Sequence, residues 1–181
     1  MKILVFGGQG FIGSHLVDNF ISKGHKVLLF DRIYNKSMWK EYGWDENDVQ
    51  FMLGDIKDED SVREAINLCD RWVNLAGLLG TQEMLENPIP AVEVNIIGAL
   101  HIFESARVHK KPGLQIAVGN YWMNNPYSLT KIMGEKLCKM YTDLFDLPTI
   151  SLRYFNVFGE RSTSTGHYAL VIGIFLQQYS K

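Results

Sequence analysis

A glycine-rich turn near the amino terminus constrains the fold of this chain more than any other feature of its sequence. It follows a short apolar run, KILVF at residues 2–6, which is typical of a strand buried on both faces. The turn itself, GGQGFIG at residues 7–13, places glycines three residues apart at Gly7, Gly10 and Gly13. Apolar residues then recur at helical spacing as far as residue 22. A strand that passes through such a turn into a helix predicts a βαβ unit whose helix amino terminus can hold phosphate groups.

The rest of the chain repeats this alternation of buried strands and helices. Strands are predicted at 26–30, 49–53, 71–75, 114–118 and 149–152, and helices at 58–68, 91–108, 127–145 and 167–179, with a short helix inside a loop at 32–48. This spacing indicates an α/β fold, a Rossmann-type doubly wound parallel sheet with helices on both faces. The 181 residues, of which 46% are hydrophobic, suffice for the core of such a sheet. In the loop, Trp39, Tyr42 and Trp44 are expected to form a small satellite core rather than to cover a ligand.

Charge and cysteine usage exclude several classes of protein. The net charge of -2 gives no electrostatic argument for a nucleic-acid or anionic-membrane partner. No apolar run approaches the length of about 20 residues that a membrane-spanning helix needs. Cys69 and Cys138 stand far apart and outside any metal-binding spacing, so we expect two free thiols in a reducing compartment. The composition therefore predicts a cytoplasmic protein without a metal site.

The glycine turn is followed by the acidic residue that a dinucleotide site requires. In such a turn one glycine permits the tight bend, another lets the backbone approach a pyrophosphate, and the last lets helix pack on strand. Asp31 ends the second strand, 18 residues after Gly13, where a carboxylate binds the ribose 2′-hydroxyl of NAD. Arg32 beside it leaves NADP as the alternative. Asp55, which ends the third strand, either reaches the adenine amino group or caps a turn.

A tyrosine and a lysine with helical spacing supply the candidate chemistry. Asn125 suits the amino-terminal cap of a helix and Pro126 its first position. Tyr127 and Lys131 then lie four residues apart and share one face. A nearby ammonium is expected to lower the pKa of the phenol, so that Tyr127 takes a hydroxyl proton while hydride passes to a nicotinamide. The alternative is a chance spacing of two surface residues.

At this point the sequence resembles the extended short-chain dehydrogenase/reductases, in their nucleotide-sugar epimerase/dehydratase branch. The resemblance covers essentially the whole chain. It rests on the motifs GGQGFIG at 7–13, GDI at 54–56, NLAG at 74–77, VNIIG at 94–98, YSLTK at 127–131 and LRYFNVFG at 152–159, together with Asp31. It implies an NAD-dependent enzyme that acts on a nucleotide-activated sugar.

The resemblance also implies roles for single residues within these motifs. Cofactor contacts are expected from Phe11, Ile12, Arg32, Ile56, Ala76 and Gly77. Asn95 would hold the helix that carries it and order a water beside Lys131, or would serve only as a buried amide bonded to the backbone. Phe155 would border the nicotinamide, and Asn156 would contact the phosphates of the sugar nucleotide.

The chain departs from the family at the end of the fifth strand. Relatives carry a Ser or Thr there, whereas this chain reads LQIAV at 114–118 and then Gly119-Asn120. Asn120 is the candidate substitute, with Ser128 or Tyr121 as alternatives. Residues 105–134 contain no Asp or Glu, which excludes the carboxylates of a 4,6-dehydratase or decarboxylase. Epimerisation, or a related reduction, therefore fits best, and the alternative is a catalytically weak NAD-binding regulatory or binding protein.

Domain organisation and assembly are inferred from the same resemblance. Residues 1–160 are expected to form the NAD-binding domain, and 161–181 the start of a truncated or minimal substrate lobe, which is thus largely absent. Relatives commonly pair the helices at 91–108 and 127–145 into a homodimer. Both helices carry apolar residues beyond one core-facing stripe, namely Ile97, Leu100, Met133, Leu137 and Met140. The alternative is that these side chains pack within one subunit.

Overall fold

Six parallel strands form one sheet at the centre of the protein. The computed structural model describes residues 1–164, 169 and 171–179. The strands are β1 (Lys2–Phe6), β2 (Lys26–Asp31), β3 (Val49–Leu53), β4 (Arg71–Asn74), β5 (Gly113–Val118) and β6 (Thr149–Tyr154), in the spatial order β3-β2-β1-β4-β5-β6. Because strand order reverses between β1 and β4, a crevice opens at the carboxyl ends of these two strands. The predicted doubly wound α/β sheet is confirmed.

Helices cover both faces of this sheet, and three of them begin within one residue of the position that the sequence predicts. They are α1 (Phe11–Ser22), α2 (Lys36–Tyr42), α3 (Glu59–Asn67), α4 (Thr81–Glu86), α5 (Ile89–Val92), α6 (Ala99–His109), α7 (Pro126–Phe145) and α8 (Val171–Tyr179). The helix predicted at 91–108 is interrupted by a π-helical turn, Glu93–Gly98, between α5 and α6. Helix α4 was not predicted. Of the helix predicted at 167–179, residues 167, 168 and 170 lie outside the described residues.

Each face of the sheet has its own hydrophobic core. On one face Trp72 packs edge-on against Phe103, which stacks on Tyr141 of α7. On the other face Trp39 of α2 and Trp44 are buried and contact each other edge to face. They belong to the main core of this face, together with β1, β2 and α1, and Tyr42 packs against it, so the expectation of a separate satellite core is wrong.

The two cysteines are free and buried, as expected. Burial raises the pKa of the Cys69 thiol to about 12 and that of Cys138 to about 11. Both thiols therefore stay protonated and behave as small apolar side chains.

One helical run corrects the expectation that no segment is long and apolar enough to cross a membrane. Ile89–His109 spans 21 residues with a mean hydropathy of 1.2, which meets that criterion by length and composition. Its buried residues, among them Ile102, Phe103 and Ala106, belong to the core between α3, α6 and α7. Core helices of globular proteins pass the same criterion, so the run gives only weak support for a membrane span.

Candidate active site

The glycine turn is tightly packed at Gly7 and Gly13 and open at Gly10. Gly7 has a φ of 73°, and its N–H donates to the Phe30 carbonyl at 2.9 Å. A Cβ on Gly7 would lie 2.8 Å from the Ala76 nitrogen, and one on Gly13 would lie 2.5 Å from the Gly7 oxygen. A Cβ on Gly10, by contrast, would meet only the Gly7 oxygen, at 3.3 Å. Gly7 and Gly13 thus serve the turn and the packing, whereas Gly10 keeps the backbone accessible from outside.

A cavity of about 570 Å³ opens beside this turn, at the carboxyl edge of the sheet. It is lined by most residues that the sequence predicts for cofactor binding, namely Gly7, Gly10, Phe11, Ile12, Gly13, Asp31, Arg32, Asp55, Ile56, Ala76, Gly77, Tyr127 and Lys131. Helix α1 points its amino terminus at the turn, and no side chain caps it. The free N–H groups of its first turn and the positive end of its dipole favour an anion there.

A network of hydrogen bonds builds the wall at the β2 end of the cavity. One Asp31 carboxylate oxygen accepts from the Arg32 N–H at 2.8 Å and the other from the Gln9 N–H at 3.3 Å. The Gln9 side chain donates to the Ile33 carbonyl and accepts from the Asn35 N–H at 3.0 Å. Gln9 was not predicted, because a variable position inside a glycine turn shows neither a spacing nor a charge that would single it out.

Asp55 closes a turn and also lines the cavity. Its carboxylate accepts from the Lys57 N–H at 3.0 Å and so closes the turn after β3. The same residue lines the cavity. An adenine contact by Asp55 stays a prediction.

Tyr127 and Lys131 line the cavity from the first turns of α7. The side chain of Asn125 caps this helix by accepting from the Ser128 N–H at 2.9 Å, and Pro126 takes the first helical position. Lys131 is only 6% exposed, and its ammonium has no hydrogen-bond or ion-pair partner in the described part of the chain. Its Nζ would lie 3.2 Å from a Cβ on Gly77, which places it at the end of β4. A buried cation without a partner faces the space where a ligand would bind.

Burial governs the pKa values of both groups. It lowers the pKa of Lys131 to about 8, because an ammonium loses hydration inside the protein. It raises the pKa of Tyr127 for the same reason, since the phenolate is the charged form. The expected lowering of the Tyr127 pKa by Lys131 is therefore wrong for the protein alone, where desolvation is the cause that acts.

Asn95 supports this site from behind rather than lining it. It lies in the π-helical turn, a type of distortion that is frequent at functional sites. Its oxygen accepts from the Leu78 N–H at 2.8 Å, and its amide donates to the Leu78 carbonyl at 3.1 Å and to the Thr130 hydroxyl at 3.0 Å. Asn95 therefore ties the segment after β4 to the residue that precedes Lys131.

The end of β5 carries no hydroxyl and has no room for a side chain at residue 119. The β5 residues that line the cavity, Ile116, Ala117 and Val118, are all apolar. A Cβ on Gly119 would lie 2.5 Å from the Tyr154 carbonyl oxygen and 2.6 Å from the Phe155 ring. The ring of Phe155 thus leaves no space for a side chain at residue 119.

Several predicted contacts lie outside the lining of the cavity: Phe155, predicted for the cofactor, and Asn120 and Asn156, predicted for the substrate. Phe155, Asn120 and Asn156 are exposed, and Asn156 has a φ of 27°. The Ser128 hydroxyl is buried without a hydrogen-bond partner among the described residues, and the Tyr121 ring lies 4.0 Å from the Arg153 guanidinium. Tyr154, which was not predicted, lines the cavity instead.

Family models match the two parts of the chain in succession. The model described as "GDP-mannose 4,6 dehydratase" matches residues 4–118, and that of the "NAD dependent epimerase/dehydratase family" matches residues 113–181. The first match ends at Val118, the last residue of β5, and includes the glycine turn.

Individual relatives agree with these models. A putative UDP-glucose 4-epimerase of Methanocaldococcus jannaschii is 32% identical, with 99% of this chain and 63% of that protein covered. The UDP-glucose 4-epimerase of Thermotoga maritima, solved with UDP-glucose, is 26% identical with a TM-score of 0.87, over 98% of this chain and 62% of that one. That of Thermus thermophilus, solved with NAD, is 25% identical with a TM-score of 0.82, over 98% and 61%.

The chain thus spans somewhat less than two thirds of the length of these relatives, and the shared part contains the glycine turn, the acidic end of β2 and the Tyr-Lys pair. The motifs, the order of the strands and the match over residues 4–118 agree with one another. The chain belongs to the extended short-chain dehydrogenase/reductase family, in its nucleotide-sugar epimerase/dehydratase branch.

Proposed function

We propose that this chain binds NAD and forms the cofactor half of an epimerase, or a related reductase, for a nucleotide-activated sugar. The observation that carries this proposal is the buried, unpaired ammonium of Lys131 beside Tyr127 in the cavity. Keeping such a cation inside a protein costs stability unless a ligand uses it. The glycine turn and Asp31 line the same cavity, so one dinucleotide can reach both ends.

The residues present fit NAD. The open side of Gly10 and the uncapped amino terminus of α1 suit a pyrophosphate. Asp31, fixed by two backbone N–H groups, suits a ribose 2′-hydroxyl and would repel a 2′-phosphate. Lys131 suits the hydroxyls of the second ribose, because its ammonium offers three donors and has no other partner among the described residues. NADP is the alternative that Arg32 supports from the rim of the same wall.

In the mechanism that we propose, NAD supplies hydride acceptance and return at its nicotinamide ring. Tyr127 acts as the phenolate: it takes the proton of the sugar hydroxyl as the alcohol is oxidised, becomes a neutral phenol, and gives the proton back when the ketone is reduced. Lys131, charged below a pH of about 8, stabilises the phenolate before it accepts the proton. The hydrogen bonds of Asn95 to Leu78 and Thr130 hold the start of α7 against the segment after β4. They thereby fix the positions of Tyr127 and Lys131.

Epimerisation is favoured over dehydration and decarboxylation because acidic residues are lacking where those reactions need them. No Asp or Glu occurs at 105–134, and the β5 residues in the cavity are apolar. Epimerisation needs only hydride and proton transfer at one carbon and a turn of the keto sugar between the two transfers. Tyr127, Lys131 and the cofactor suffice for that chemistry.

The closed end of β5 favours a second candidate function. Without a Ser or Thr at the end of β5, the reacting oxygen would lose one of the donors that the family resemblance implies. The alternative is therefore a catalytically weak NAD-binding protein with a regulatory or binding role, in which Tyr127 and Lys131 serve the cofactor only. Both candidates share the dinucleotide site and differ in turnover.

One experiment separates the two candidates. The chain is incubated with NAD and a panel of nucleotide sugars that includes UDP-glucose, and products are followed by mass spectrometry and chromatography. An isomer of unchanged mass supports the epimerase, and loss of one water would contradict the exclusion of a dehydratase. NAD bound by the chain without any product would overturn the enzyme assignment.

A matched pair of variants ties turnover to the proposed base. Tyr127→Phe removes only the phenolic oxygen, so it should abolish turnover while NAD affinity stays within about twofold. Tyr42→Phe makes the same change on a ring that packs against the core outside the cavity, and it should leave turnover unchanged. Full activity in Tyr127→Phe would remove this residue from the mechanism.

We further propose how the remaining parts are organised. Residues 1–160 serve as the NAD-binding domain and 161–181 begin a substrate lobe that contributes to sugar binding. A homodimer is proposed through α6 and α7, because Ile97, Met133 and Met140 are exposed, whereas Leu137 packs in the core and Leu100 against it. Analytical sedimentation tests the dimer. We also propose a cytoplasmic location, because Cys69 and Cys138 are free thiols of the kind found in a reducing compartment.

A further inference from the structure

The side chain of Gln9 joins two stretches of chain that together wall the β2 end of the cavity. It is buried and lies between the glycine turn and the segment at 31–35. Its amide donates to the Ile33 carbonyl and its oxygen accepts from the Asn35 N–H. Its own backbone N–H donates to Asp31. One residue thus holds three points of the facing segment.

The hold of Gln9 extends into helix α2. Asn35 is the amino-terminal cap of that helix, because its side chain accepts from the Met38 N–H at 3.1 Å. Both Asn35 and Met38 line the cavity. When Gln9 fixes Asn35, it therefore also fixes where α2 begins and where Met38 stands against a ligand.

The charges on this wall make its position matter for the choice between two dinucleotides. Asp31 is held by two N–H donors and would repel a 2′-phosphate. Arg32 is exposed, and its guanidinium has no hydrogen-bond or ion-pair partner among the described residues, so it is free to pair with a phosphate if the segment shifts. The balance between a fixed carboxylate and a free guanidinium depends on how firmly the segment 31–35 is held.

We infer that Gln9 is a positioning residue that holds the segment 31–35 against the glycine turn and thereby sets the preference for NAD over NADP. The inference rests on the proposed function, since it concerns the same dinucleotide site. Gln9 acts through Asp31 and Asn35. Loss of its two side-chain hydrogen bonds frees the wall, weakens the grip on the ribose 2′-hydroxyl and lets Arg32 approach a 2′-phosphate.

The test uses Gln9→Met, which keeps the length of the side chain and removes both hydrogen bonds, with Gln9→Ala as a second variant. Calorimetric titrations with NAD and with NADP give the ratio of the two Kd values. We expect NAD binding to weaken about tenfold and NADP binding to change less, so that the preference for NAD shrinks. Gln50→Ala is the control, because Gln50 is exposed on β3 and its side chain accepts from the Lys2 ammonium at 2.8 Å, away from the cavity.

Hydrogen exchange of the chain alone supplies a readout that needs no ligand. The Asn35 amide should exchange about tenfold faster in both Gln9 variants and at the wild-type rate in Gln50→Ala. A variant that binds NAD and NADP in the wild-type ratio, with the Asn35 amide equally protected, overturns the inference alone. A wild-type chain that binds neither dinucleotide overturns the proposed function and this inference together.

Discussion

Replacing Lys131 by Met should make the protein more stable while it removes the proposed chemistry. Burial lowers the pKa of this lysine from its ordinary 10.5 to about 8, so at pH 7 the folded chain carries a charge that would be better hydrated in the unfolded chain. At about 1.4 kcal/mol for each factor of ten in proton affinity, that cost is about 3 kcal/mol. Met keeps the length of the side chain and removes the charge. We expect Lys131→Met to raise the free energy of unfolding at pH 7 by about 2 to 3 kcal/mol.

The pH dependence gives this prediction its sign. Between pH 8 and 10.5 the unfolded chain binds more protons at this lysine than the folded chain does, so the wild-type protein gains stability as pH rises through that interval. Above pH 10.5 the lysine is neutral in both states and the cost disappears. The stability difference between Lys131→Met and the wild type should therefore be full at pH 7 and close to zero by pH 10.5.

Urea denaturation at a series of pH values, followed by circular dichroism, measures this difference. Lys136→Met is the matched control, because Lys136 lies on the same helix and is exposed. It should change stability by no more than about 0.5 kcal/mol, without the same pH dependence. A Lys131→Met protein that is less stable than the wild type at pH 7, or whose gain persists at pH 10.5, would refute the view that Lys131 is a buried and unpaired cation.

Four further substitutions test other parts of the site. Gly10→Ala should fold normally, because Gly10 has a φ of -70° and a Cβ there would meet only one atom, yet it should weaken NAD binding at least tenfold in a titration. Gly13→Ala should instead lower the Tm, because its Cβ would lie 2.5 Å from a backbone oxygen. Equal losses of Tm in the two variants would contradict this division of roles. Gly119→Ser should lower the free energy of unfolding by at least about 1 kcal/mol, since its Cβ would lie 2.5 Å from the Tyr154 oxygen, and it should not raise turnover. A higher turnover rate would show that the structure accommodates a hydroxyl at this position. Asn95→Ala removes three hydrogen bonds and leaves the Leu78 N–H and carbonyl without these partners. Urea denaturation should therefore show that the free energy of unfolding falls by about 2 to 3 kcal/mol. A fall below about 0.5 kcal/mol would contradict the supporting role of Asn95.

The sequence predicts the amino-terminal unit closely because its boundaries are marked by special residues. Glycines separate the first strand from α1 and α1 from β2, and the structure places α1 at the predicted residues, Phe11–Ser22. The start of α7 is marked in the same way by Asn125 and Pro126. Where local chemistry ends an element, the sequence alone suffices to locate it.

Features that depend on neighbours in space were not predictable. The π-helical turn at Glu93–Gly98 adds no break in the apolar pattern, so its run resembles an ordinary helix. The closed end of β5 arises because Phe155, which follows β6, packs against Gly119, and that contact requires the pairing of β5 with β6. The role of Gln9 likewise depends on where Ile33 and Asn35 come to lie.

The pKa of Tyr127 illustrates the same limit. Helical spacing correctly places Tyr127 and Lys131 on one side of α7, where both line the cavity. Spacing carries no measure of burial, however, and burial raises the pKa of the phenol instead of lowering it. The sequence therefore identifies the pair but not the balance of the forces that act on it.

The most direct test of the central claim is whether a nucleotide sugar reduces the nicotinamide held by this chain. The protein is loaded with NAD, mixed with UDP-glucose and other nucleotide sugars, and monitored by the fluorescence of reduced nicotinamide while products are separated. We expect transient reduction and an isomer of unchanged mass in the wild type, and neither in Tyr127→Phe. Bound NAD that no nucleotide sugar reduces, or reduction that persists unchanged in Tyr127→Phe, would contradict the proposed role of Tyr127 and Lys131.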